Sequence, residues 1–115
     1  MDVQYSPTIR GMAGRFKQLE AITPKLSTAV AVMADPSVHA EWDLAFDAQG
    51  RELYRLSLQD TTDRVSTDFT SEELSIPHHM TVRLYRLCGD LLKIRNDKQH
   101  EQVLATMNEL VTSED

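Results

Sequence analysis

The chain has a single cysteine in 115 residues, so no disulfide can form within it, and Cys88 sits in no metal-type spacing. A reducing, cytoplasmic setting is the expectation that follows. No apolar run approaches the roughly 18 residues needed to span a bilayer, and the start lacks a charged-then-apolar export signal. Basic residues are few, 12 against 18 acidic, and residues 36–75 carry three basic and nine acidic groups. A nucleic-acid binder needs a concentrated positive surface, so this profile argues against that class. There is no nucleophile elbow, zinc-type pair of motifs or calcium loop. Gly11 and Gly14 follow no strand and form no phosphate loop. No cofactor, no metal and no catalytic residue is therefore expected. What the chain does have, 41% hydrophobic and 26% charged residues, is ordinary for a folded protein. The length suits one domain, with residues 1–7 and 112–115 expected to be flexible.

Three segments read as one antiparallel meander over about residues 38–69. Val38, Ala40, Trp42, Leu44 and Phe46 alternate with polar residues, and Tyr54, Leu56 and Leu58 repeat the period of two. Val65, Thr67 and Phe69 repeat it more weakly. A short loop at Ala48-Gln49-Gly50, with Gly50 in the left-handed region, sets Asp47 against Arg51, Ala45 against Leu53 and Asp43 against Arg55. Trp42 then faces Leu56 and Leu44 faces Tyr54. Asp68 of the third strand falls next to Arg55.

Helical spacing flanks the meander. Ile9, Met12, Phe16 and Leu19 form one stripe, and Thr23-Pro24 looks like an N-cap and first position opening a second helix with Leu26, Ala29, Val30 and Met33 inward. One helix kinked at Pro24, or a strand over residues 27–33, are the alternatives. Thr70 with Glu73 resembles a capping box. From Pro77 onward Met80, Leu84, Leu87, Cys88, Leu91 and Ile94 form the strongest stripe, widened by Val82, Tyr85 and Leu92. Asn96-Asp97 then interrupts, and Val103, Leu104, Met107, Leu110 and Val111 supply a last helix.

Few residues are left to carry chemistry. His39, Glu41 and Asp43 share one strand face at a spacing that suits a cation, but charge pairing with Arg55 is the preferred explanation. His78 and His79 point about 100° apart on a helix, and His100 has no visible partner. Cys88, on the apolar stripe, reads as a small buried hydrophobe. Arg83, Arg86, Lys93 and Arg95 taken alone could meet phosphates, yet Arg86 with Asp90 and Lys93 with Asp97 read as an ion-paired helix surface.

The expected architecture is α+β: the meander covered on one face by helices from both ends of the chain. That order is similar to the one in type III secretion chaperones, at the level of fold alone, and implies a small, acidic, dimeric protein. The leading functional expectation is a non-enzymatic protein–protein interaction module of adaptor, immunity or chaperone-like kind. Alternatives are a small metal-dependent or acid–base enzyme using His39, Glu41 and Asp43 with His78 or His79, and a nucleic-acid-associated regulator. Because three strands offer too narrow a platform for every apolar stripe, self-association through Leu84, Leu91, Leu104, Met107 or Leu110 is expected as well.

Overall fold

A computed structural model of the protein describes the backbone of residues 2–33 and 36–113, and the side chains within that range as far as Lys98. The meander forms as the alternation requires: β2 (His39–Phe46), β3 (Glu52–Gln59) and β4 (Arg64–Phe69) pair antiparallel in sequence order. Asp43 stands opposite Arg55, Ala45 opposite Leu53, Trp42 opposite Leu56 and Leu44 opposite Tyr54, while Arg55 stands opposite Asp68. Gly50 has a φ of 79°, the conformation that lets the β2–β3 turn close. Asp47 fastens that turn. Its Oδ1 accepts from the N–H groups of Gln49 and Arg51, and its Oδ2 from Arg51 Nε at 2.9 Å.

The sheet has a fourth strand, so the three-stranded expectation is corrected. Residues 3–5, placed in an expected flexible start, form β1 (Val3–Tyr5), which pairs parallel with β2 to make a mixed sheet of order β1-β2-β3-β4. A parallel neighbour needs a long crossover, and α1 (Pro7–Arg10) with α2 (Ala13–Ala31) supplies it. Ser6 caps α1 by accepting from the Ile9 N–H, with Pro7 at the first position. The Tyr5 ring meets Phe16 edge-on at 4.9 Å and its hydroxyl bonds Thr23 Oγ1, which ties the strand to α2.

Two helix boundaries differ from expectation. There is no break at Thr23-Pro24: α2 runs through Pro24, which lies on the exposed side, where the carbonyl it leaves unbonded can face water. Nor is there one at Asn96-Asp97, since α3 (Pro77–Ser113) is a single helix of 37 residues. Asn and Asp cost a helix only fractions of a kcal/mol each, and Arg95 and Lys98 bond Asp60 and Asp63 in the β3–β4 turn, which holds the helix across that point. Of the tail expected to be flexible, residues 112 and 113 are helical; Glu114 and Asp115 lie outside the described residues.

The core lies between the sheet and the two long helices. Trp42, Tyr54, Leu56, Leu58 and Phe69 from the strands meet Leu19, Ile22, Leu26 and Ala29 of α2 and Met80, Leu84, Leu87 and Leu91 of α3. Phe46, expected on this face, is instead 61% exposed at the far end of β2. Leu84 and Leu91 were expected at an interface; both are fully occupied inside the chain's own core, because the sheet and α2 between them cover that stripe.

Candidate functional site

The outer face of the sheet is a charge-paired surface. Arg55 donates to both carboxylate oxygens of Asp68, at 2.8 and 3.2 Å, and Glu41 lies 3.9 Å from Arg64. His39 makes its contact with the Ser37 carbonyl, and His79 bonds Glu73 rather than any group on β2. Among the described residues, no three His, Cys, Asp or Glu side chains converge on a point that would hold a metal ion.

The Glu73 carboxylate is held from three sides. The Thr70–Glu73 capping box forms in both directions, Thr70 N–H donating to Glu73 Oε1 and Glu73 N–H to Thr70 Oγ1. Glu73 Oε2 meanwhile takes Arg83 Nη1 at 2.6 Å and faces His79 Nε2 at 2.8 Å. Arg83 also donates to Thr67 Oγ1 and the Asp68 carbonyl, with its guanidinium 4.3 Å above the Phe69 ring. Burial pushes the Glu73 carboxyl up, but the Thr70 N–H, His79, the Thr70 hydroxyl and Arg83 outweigh it and hold the group at about 2. Asp60 behaves alike. Burial opposes its charge, while the Thr62 N–H, Arg95 and the Asp63 N–H bring it to about 2.

Asp47 and Asp63 are lowered as well, but Glu73 and Asp60 contribute most to the acid response. In the unfolded chain each takes up a proton near pH 4, in the folded chain only near pH 2, so acid favours unfolding and the stabilisation present above pH 4.5 is lost as pH falls to 2. Urea midpoints at pH 6, 4 and 2.5 should fall accordingly. Glu73→Gln should flatten that dependence by about 1–2 kcal/mol, a figure reduced for partial solvent screening. An unchanged pH slope in the variant would contradict the role given to Glu73.

A cleft of about 430 Å³ opens between the β2–β3 turn and the segment after β4, lined by Asp47, Arg51, Glu52, Leu53, Tyr54, Thr70, Ser71 and Glu72. Its groups are joined to one another: Asp47 to Arg51, and the Tyr54 hydroxyl to Glu52 at 2.7 Å. Burial and then the Glu52 bond push Tyr54 up, so no phenolate forms near neutrality. Burial likewise raises Cys88, which leaves its thiol unreactive on the inner stripe. None of these groups has the paired geometry of a nucleophile and its base.

The basic residues of α3 do not form a phosphate-binding row. Arg83 turns to β4 and Glu73, and Arg95 donates to Asp60 Oδ2 at 2.9 Å, so only Arg86 and Lys93 of the four are exposed. The expected pairs Arg86–Asp90 and Lys93–Asp97 are not made among the described residues, although all four side chains are exposed.

Val32, Phe46 and Ile76 are exposed singly at the ends of elements, whereas the outward side of α3 carries two exposed apolar residues on one helix. Val82 and Tyr85, assigned from spacing to the inner stripe, are 42% and 43% exposed. Val82 lies opposite Leu84 and Leu91 around the helix, and Tyr85 lies about 100–120° from them. Gly89, four residues past Tyr85, is also exposed and has nothing within 4 Å of where a Cβ would stand. A mid-helix glycine costs about 1 kcal/mol relative to alanine, and nothing in the chain's own packing requires one here. The signal for this face was present in the 82–85–89–92 spacing, which runs beside the 80–84–87–91 spacing of the core. Leu104, Met107 and Leu110, the other expected interface residues, and His100 have side chains outside the described residues.

The chain matches no protein-family model, no curated protein and no solved structure. No helix among the described residues is long and apolar enough to cross a membrane.

Proposed function

We propose that the protein is a non-enzymatic protein-binding module whose binding element is the outward face and distal half of α3. The observation that carries this reading is the length of the helix. At 1.5 Å per residue its 37 residues span about 55 Å, whereas the eight-residue strands of the sheet span about 27 Å. The molecule is correspondingly elongated, 66 × 31 × 25 Å. The sheet holds α3 as far as the bonds from Arg95 and Lys98 to the β3–β4 turn, and 15 helical residues follow. Their sequence carries a full apolar stripe, Val103, Leu104, Met107, Leu110 and Val111, which a helix needing only solubility would not have. Asp47, Arg55, Asp60, Glu73, Arg83 and Arg95 are engaged in holding the fold together, which supports an adaptor, immunity or chaperone-like role over an enzyme or a nucleic-acid regulator.

Photo-cross-linking tests this. A photoreactive residue at Tyr85 should give adducts with a second polypeptide in cells producing the protein, and one at Ser66 on the outer sheet face should not. Adducts from Ser66 alone, or from neither position, would contradict the assignment.

A further inference from the structure

We propose that the outward face of α3 binds the same face of a second copy, with the two helices antiparallel about a two-fold axis near residue 91. This deepens the reading of α3 as the binding element and rests on it. Val82, Tyr85, Gly89, Leu92 and Asn96 follow steps of three and four residues, the seam spacing of paired helices. Gln99, Val103, Met107 and Leu110 continue it into the distal half. Within the described part of the seam Val82 and Tyr85 are exposed, and Leu92 is half-buried at its edge, packed partly against the chain's own core. Gly89 sits in its middle with open space before it. A glycine there lets a second backbone approach closely, which gives the residue a purpose the single chain does not.

The charges decide what the occupant is. Arg86, Asp90, Lys93 and Asp97 run along one flank of the seam with signs plus, minus, plus, minus, and all are exposed. Read backwards, that row is its own complement. In an antiparallel pair, where the same flanks meet, Arg86 faces the partner's Asp97 and Asp90 faces the partner's Lys93; both pairs centre between residues 91 and 92. A parallel pair would set this flank against the opposite one, around Cys88, which faces the core and carries no matching row. A self-complementary patch of this kind is what a two-fold interface requires. Gly89 then falls beside the partner's Leu92, and the segment past Lys98, which runs beyond its own sheet, lies along the start of the partner's helix and over Val82. The overlap, from about residue 77 to about 105, is about 40 Å of helix.

Sedimentation equilibrium of the full chain at micromolar concentration should give twice the 13.1 kDa chain mass. Arg86→Asp and Asp97→Arg should each weaken self-association at least tenfold, because each sets like charges together twice per dimer. An equimolar mixture of those two variants should restore the dimer, since the two acidic groups of one variant then meet the two guanidinium groups of the other. Misfolding cannot produce that rescue. Gly89→Leu should remain folded, with a thermal midpoint no lower than the parent, and be monomeric. A monomeric parent, single variants that still dimerise, or a mixture that stays monomeric would overturn the proposal. If the parent is monomeric while the Tyr85 probe still captures another polypeptide, the dimer fails and the wider binding role stands; if that probe captures nothing, both fail.

Discussion

Trp42→Ala is expected to destabilise the protein by about 3–5 kcal/mol, the range for emptying a large aromatic site in a packed core. Trp42 is fully buried at the centre of the sheet, opposite Leu56, with its ring 5.9 Å from that of Phe69. It is the only tryptophan, so its emission should be blue-shifted in the native state and move red on unfolding. Its buried Nε1 has no hydrogen-bond partner among the described residues, which makes a second substitution informative. An unbonded buried donor costs about 1–3 kcal/mol, so Trp42→Phe gives back part of what the lost volume removes and should cost about 2 kcal/mol or less. Urea unfolding of both variants is the check. A loss below about 1 kcal/mol for Trp42→Ala would place the tryptophan at the edge of the core and misassign the inner face.

The second large effect is at Asp60, whose two oxygens have separate tasks. Oδ1 accepts from the N–H groups of Thr62 and Asp63 and closes the β3–β4 turn, while Oδ2 takes Arg95 and fastens that turn to α3. The Asp60 side chain is only 5% exposed, so removing it leaves two backbone donors without their acceptor and takes one acceptor from Arg95. Asp60→Ala should therefore cost about 2–4 kcal/mol. Asp60→Asn keeps an oxygen for the turn but sets an NH2 donor, which cannot accept, where Arg95 donates, so about 1–2 kcal/mol is expected. A loss for Asp60→Ala with none for Asp60→Asn would show that the turn alone matters and that Arg95 does not hold the helix. A loss confined to the helix end would appear as selective hydrogen exchange there.

Sequence patterning revealed the meander and its register because charge and hydrophobicity agree on one pairing: Asp43 with Arg55, and Arg55 with Asp68. The same local rules misread the helices. A Thr-Pro pair resembles a helix start at Thr23-Pro24, but the working example is Ser6-Pro7, where the residue before proline caps and the chain behind it is extended. At Thr23 the hydroxyl bonds back to the Leu19 carbonyl and across to Tyr5, so the helix continues because its neighbours hold it. β1 was hidden for a different reason. Three residues are too few for a period to register, and parallel pairing with β2 depends on a crossover that only the fold supplies. Asn96-Asp97 looks like a break when the Asp60 and Asp63 contacts across the fold are not in view.

The outward seam of α3 was half legible. Val82, Tyr85 and Leu92 stand close enough to the core spacing to be merged with it, and a helix apolar on two sides is easily taken for one with a broad buried face. Only the exposure of Val82 and Tyr85 separates the two stripes. Leu84 and Leu91 then belong to the fold, and the association we propose passes to the outward side of the same helix.

Hydrogen exchange by mass spectrometry, on the full chain at nanomolar and at high micromolar concentration, tests this most directly. Slower exchange at high concentration across residues 82–96 and 99–111, with β2, β3 and β4 unchanged, is the predicted result. Exchange in α3 that does not depend on concentration, or protection gained on the outer sheet strands instead, would contradict the account of α3 as the binding element.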